Sequence, residues 1–204
     1  VVLPAVIAST VLLMLYLTRG ELQKNLKRQY KIFKNKHTWA MTVIYTMTFG
    51  SFIGYSAAFP LSIKVIFGYI HTCDACIVGS DAVWNHDTVN PNGPSALMFA
   101  WMGPFIGALI RPVGGWIADK VGGAKVTQIV SVVMIASALG VAYYMSAAYK
   151  SATPEEYFWQ FFILFIVLFA ATGIGNGSSF RSIAMVFNQE QTGPALGWAS
   201  AVAA

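Results

Sequence analysis

Residues 125–148 read KVTQIVSVVMIASALGVAYYMSAA, and after Lys125 the next charged side chain is Lys150. A helix rises about 1.5 Å per residue, so a run of this length matches the ~30 Å hydrocarbon core of a bilayer. Three more stretches on either side, roughly 39–66, 95–118 and 158–187, have the same character. The 3–18 stretch reads as the tail of another span and 194–204 as the start of one more. The chain opens at Val1 without a basic stretch and small-residue cleavage site before its first apolar run, and its last residues, Ala199 to Ala204, stop inside an apolar helix. We therefore expect a segment of a longer protein. Of its residues 56% are hydrophobic and 10% charged, and the charges gather between the apolar runs, where a soluble domain would scatter them. The fold class expected is all-α, a polytopic membrane protein.

Charge placement predicts the orientation of these spans, because short loops rich in Lys and Arg stay in the cytoplasm. Arg19, Lys24, Lys27, Arg28, Lys31, Lys34 and Lys36 share one connection, which is expected to be cytoplasmic. The following connection, 67–94, carries Asp74, Asp81 and Asp87 and no Lys or Arg, and the tight turn after the next span holds Lys120 and Lys125. The net charge of +5 thus reports topology and not nucleic-acid binding, which needs a basic soluble face. Within the basic connection, Leu22, Leu26, Tyr30 and Phe33 recur at helical spacing with basic residues between them. They suit an amphipathic helix lying on the membrane surface, or else a solvated linker. The 67–94 connection contains Cys73-x-x-Cys76 with His71 and His86 nearby. A zinc site needs four well-placed ligands; an outer-face disulfide and an ordinary surface loop are the other readings. No metal or cofactor is expected.

Arg111 is the intramembrane charge that most needs a reason, within Gly103-Pro104-Phe105-Ile106-Gly107-Ala108-Leu109-Ile110-Arg111-Pro112-Val113-Gly114-Gly115. Arginine near the bilayer centre costs ~2.5–3.5 kcal/mol even on insertion scales. Counted from the turn at Asp119, it lies about 12 Å into the span at ~1.5 Å per residue, deep for simple snorkelling. It is either an interfacial anchor or a guanidinium facing an anion. The glycines and Pro112 around it suit a helix that bends and packs closely, as helices lining a transport path do. Lys64 and Arg181 sit nearer span ends and are expected to snorkel.

Tyr45 and Phe49 are four apart, hence on one helical face, and can be packing or site residues. Gly173, Gly175 and Gly177 alternate inside an apolar helix together with Asn176. Glycine costs about 1 kcal/mol in a helix interior, so these positions form either a packing seam or a backbone surface facing the solute. Gly115-Trp116-Ile117-Ala118-Asp119-Lys120-Val121-Gly122-Gly123-Ala124-Lys125 forms a turn between spans, with Gly122 and Gly123 free to take positive φ and Asp119 able to bond helix-terminal N–H groups.

That turn resembles the cytoplasmic G-x-x-x-D-(R/K)-x-G motif of the major facilitator superfamily, with Gly123 and Ala124 where a basic pair is common. Together with Thr48-Phe49-Gly50-Ser51-Phe52-Ile53-Gly54-Tyr55-Ser56-Ala57-Ala58-Phe59, the Gly103 to Gly115 run and Gly175-Asn176-Gly177-Ser178-Ser179-Phe180, it resembles the bacterial nitrate/nitrite porter family along almost the whole chain. The resemblance implies the C-terminal half of a 12-helix bundle: 1–18 as the end of helix 6, 19–37 as the linker between halves, and 38–204 as helices 7 to 10 with the start of helix 11. It also implies nitrate and nitrite as substrates, the lipid bilayer and a first-half helical bundle as partners, and the cytoplasmic membrane as location. Arg111 would be the second-half substrate arginine, Tyr45 and Phe49 would line the same pocket, and Gly173, Gly175, Asn176, Gly177, Gly115, Asp119, Lys120 and Gly122 would be signature and gating positions. A guanidinium fork matches two oxygens of a planar monoanion, a flat ring can sandwich it and a phenol can donate to it. With no acidic residue inside a complete span, nitrate/nitrite exchange is expected, and a proton-coupled nitrate symporter or a transporter of another small anion is the alternative. A membrane enzyme would need a nucleophile–base pair or metal ligands at membrane depth, whereas His37, His71 and His86 fall at span ends or in connections. A purely structural subunit leaves Arg111 without a reason.

Overall fold

The computed structural model describes residues 2–17, 29–73 and 84–204. The readings made for Leu22 to Arg28, and for Cys73 with Cys76, fall on residues or side chains outside that description. Helix α1 is Val2–Leu17. A short 3₁₀ turn, Tyr30–Lys34, leads to Asn35, whose side chain accepts the His37 N–H and caps the next helix. That helix, α2, is Lys36–Phe67, starting slightly before the boundary near residue 39 read from the sequence because the Asn35 cap supplies an acceptor for an orphan N–H. The membrane helices that follow are α3 (Met102–Val121, preceded by a turn at Ala96–Phe99), α4 (Gly123–Tyr149) and α5 (Phe158–Val186). Helix α6 is Gln189–Ala203. Among the described residues four helices are long and apolar enough to cross a membrane, at the positions read from the sequence.

Between α2 and α3 the chain forms an antiparallel hairpin, β1 (Tyr69–Cys73) with β2 (Trp84–Val89), pairing Tyr69 with Val89 and Cys73 with Trp84. The sequence reading assigned no strands to this connection. Its two ends are rich in β-branched and aromatic residues, which favour a paired extended conformation. His71 of β1 is buried, with Nε2 2.7 Å from the Ile66 carbonyl and its ring against Tyr149 of α4. The Asn90 amide donates to the Glu155 carboxylate at 2.8 Å. The hairpin is thereby held to the helical bundle.

Helix α5 is central: Phe161, Leu168, Phe169, Thr172, Asn176 and Ile183 along its length are all buried, whereas the buried residues of α3 are Gly103, Gly107, Gly114 and Ala118. Lipid tails are as apolar as leucine, so close packing, not exclusion from water, must hold these helices together. Near the hairpin end, α5 packs through Phe158, Phe161, Phe165 and Phe169 against Phe59 and Phe67 of α2. Lower down, glycines replace the rings. Helices α3 and α5 run parallel, and Gly107 faces Gly173 while the Arg111 carbonyl faces Gly177; a β-carbon on Gly173 would lie 2.3 Å from the Gly107 carbonyl oxygen, and one on Gly177 2.0 Å from that of Arg111. Small residues four apart on both helices therefore let the backbones touch. Of the two readings of the α5 glycines, the α3–α5 contact corresponds to the packing seam.

Candidate functional site

Helix α2 widens into a π-helical turn at Thr46–Gly50 and again at Ile63–Phe67. A π-turn loosens the regular i→i−4 ladder, and such bulges cluster at functional sites. The first is supported by Thr48, wholly buried, whose hydroxyl lies 3.2 Å from the Ile44 carbonyl, 3.3 Å from that of Tyr45 and 3.4 Å from the Ser179 hydroxyl on α5. Gly175 makes room for it, since a β-carbon there would lie 2.8 Å from the Thr48 methyl. The turn carries Phe49 and follows Tyr45, and these two rings stack at 5.3 Å. Tyr45 is 2% exposed, packs edge-on against Phe180 of α5, and has Ser200 of α6 beside its side chain.

Arg111 of α3 reaches the same place. Its guanidinium carbon is 4.4 Å from the centre of the Phe52 ring and 5.6 Å from that of Phe49, and its Nε is buried with no hydrogen-bond partner among the described residues. The structure thus brings together Arg111, Tyr45 and Phe49, the three residues read as substrate-binding. Pro112 cannot donate to the Ala108 carbonyl, and Ala108, Arg111, Pro112, Gly177 and Phe180 line an open cavity of about 610 Å³. A half-buried cation flanked by ring faces, with a buried phenol alongside and no acid paired to it among the described residues, can receive a small anion.

The remaining sequence candidates divide. Asn176 is 1% exposed and neither of its amide atoms has a partner among the described residues. Gly173 and Gly177 serve the α3–α5 contact, while Gly115 is less crowded, its β-carbon position 3.8 Å from the Gly177 carbonyl. At the Asp119 end of α3, Gly122 alone of the two turn glycines takes positive φ, at 97°, whereas Gly123 is small because the Ser182 hydroxyl of α5 sits where its side chain would go. Asp119 does not cap α4, which has no side-chain cap; it pairs with Arg181 of α5 instead. Arg181, expected only to snorkel, is thus one half of an ion pair, and Lys120 lies over the Trp116 ring at 3.8 Å. Sequence reasoning also missed Phe52. Its signal was present, because Tyr45, Phe49 and Phe52 recur at spacings of four and three on one helical stripe.

No protein-family model matches the chain. It is 35% identical over 201 residues to the probable nitrate/nitrite antiporter NarK2 of Thermus thermophilus, covering 98% of this chain and 40% of that one. It is 35% identical over 162 residues to the nitrate/nitrite transporter NarU of Escherichia coli, covering 79% and 29% respectively. Against the probable nitrate/nitrite transporter NarK2 of Mycobacterium tuberculosis, identity is 30% over 147 residues, covering 72% and 29%. The chain is a homologue of these transporters along most of its length and spans less than half of theirs, and its apolar helices make it a multi-pass membrane protein.

Proposed function

We infer that this homologue of the NarK and NarU nitrate/nitrite transporters forms the second half of a secondary transporter that moves nitrate and nitrite across the cytoplasmic membrane by alternating access, exchanging one for the other. In this reading 1–18 ends the first half, 19–37 is a cytoplasmic linker, and 38–204 is the second-half bundle, whose open Arg111 face meets a first-half helical bundle. The observation that carries it is the placement of the Arg111 guanidinium against Phe49 and Phe52 beside buried Tyr45. A planar monoanion accepts from the guanidinium fork in its own plane while a ring lies on its face, and the phenol supplies a further donor. The lack of acidic residues in the interior of the spans favours exchange. Asp119 and Glu190 lie at helix ends, Glu155 and Glu156 precede α5, and by sequence Glu21, Asp74, Asp81 and Asp87 fall in connections, so among the described residues no carboxyl is placed to carry a proton beside Arg111.

Arg111→Lys in the complete transporter tests this. Lysine keeps the charge and lacks the fork, so nitrate binding should weaken by roughly 1–3 kcal/mol, the scale of a charge-assisted hydrogen bond. Nitrate uptake at wild-type rate and affinity, with equal protein in the membrane, would overturn the site.

A further inference from the structure

We propose that Phe52 is a positioning residue for Arg111: its ring face carries the unliganded guanidinium and holds the fork ready for the anion. The inference rests on the reading of Arg111 as the anion-binding group and adds to it the residue that keeps that group in place. A half-buried arginine needs something to offset its partial desolvation, and the usual solution is a carboxylate. Among the described residues Arg111 has none; the ion pair there is Arg181 with Asp119. A carboxylate would also occupy the N–H donors that an incoming anion needs, and would cancel the charge that attracts it. A ring face attracts the cation through its quadrupole without accepting in-plane hydrogen bonds, so it offsets burial while leaving the donors unspent.

The geometry singles out Phe52 over Phe49 for this task. The guanidinium carbon is 1.2 Å closer to the Phe52 ring, 4.4 Å against 5.6 Å. Phe49 is stacked on Tyr45 within the π-turn, whereas Phe52 is wedged from two other sides. Phe169, wholly buried on α5, meets it edge-on at 5.7 Å. Gly107, one helical turn before Arg111 on α3, provides the notch: a β-carbon there would fall 2.6 Å from Phe52 Cε2. Gly107 is itself locked against Gly173 in the α3–α5 contact. The ring is therefore fixed to the same rigid pair of helices that carries Arg111, as a support for an arginine fork must be.

The test replaces Phe52 in the complete transporter with mono-, di- and trifluorophenylalanine, which drain the ring quadrupole stepwise with little change of shape. Nitrate dissociation constants are measured on purified protein, alongside melting temperature. The expected result is a stepwise loss of nitrate affinity reaching roughly 5–30-fold for the trifluoro ring, the equivalent of a cation–π contact at a partly desolvated site, with protein that still melts in one cooperative transition. Phe52→Leu, which fills similar space without a π face, should fall at the far end of the same series. A flat affinity across the fluorinated series, with Arg111→Lys still binding poorly, would overturn the role of Phe52 and leave the anion site standing. Wild-type nitrate affinity in Arg111→Lys would remove both.

Discussion

Gly177 and Gly115 lie on facing surfaces of α5 and α3, yet adding one methyl group to each should have opposite consequences. In Gly177→Ala the new β-carbon would start 2.0 Å from the Arg111 carbonyl oxygen and 2.9 Å from its carbon. Both atoms are backbone, so neither can rotate away. Ordinary contact begins at 3.4 Å, and reaching it moves the two helices apart by about 1.4 Å. That displacement also opens the Gly107–Gly173 contact, forfeiting much of the dispersion attraction along the interface. Overpacking of this kind costs about 1–3 kcal/mol, and the rigid backbone on both sides places Gly177→Ala at the upper end. The Arg111 side chain moves with its helix, and a shift on the order of 1 Å at a binding group can cost 10²-fold in function. In Gly115→Ala the new atom would meet only the Gly177 carbonyl at 3.8 Å, an ordinary contact, so stability should hold. Melting of the solubilised transporter, followed by size-exclusion fluorescence, together with nitrate uptake in vesicles, measures both. Equal melting temperatures and equal uptake in the two variants would refute the close-contact argument.

Two further expectations concern residues whose setting is unusual. Asn176→Leu, which keeps the branching of the amide while being somewhat bulkier, should cost little stability or raise it, because an unpartnered buried amide costs about 1–3 kcal/mol, while nitrate transport falls; a fall in melting temperature in this variant and in the smaller Asn176→Val alike would mean that the folded protein does satisfy the amide. For Asp119 with Arg181, side chains 42% and 51% exposed, a double-mutant cycle with Asp119→Asn and Arg181→Gln should give a coupling of about 0–1 kcal/mol in stability, as solvent-screened pairs do. A larger coupling in transport rate than in stability would identify the pair as a latch between α3 and α5, and equal couplings would mark it as a surface contact only.

Much of this was legible from the linear order of residues, for a physical reason. A bilayer sorts side chains by hydropathy along the chain, so the spans and the isolation of Arg111 appear without tertiary information. That Tyr45 and Phe49 share one helical face follows from their spacing alone. What hydropathy and spacing could not supply was everything that depends on one helix meeting another. The parallel register of α3 and α5 decides that Gly177 faces the Arg111 carbonyl while Gly115 has room, that Gly107 opens a notch for Phe52, and that Asp119 meets Arg181 and not the start of α4. The π-turn at Thr46–Gly50 depends on the Ser179 hydroxyl and the space at Gly175 as well as on its own residues. The hairpin at Tyr69–Cys73 and Trp84–Val89 pairs residues far apart in the chain. Hydropathy is a property of each residue by itself, whereas partners, notches and close contacts belong to pairs of surfaces, and those exist only once the helices have packed.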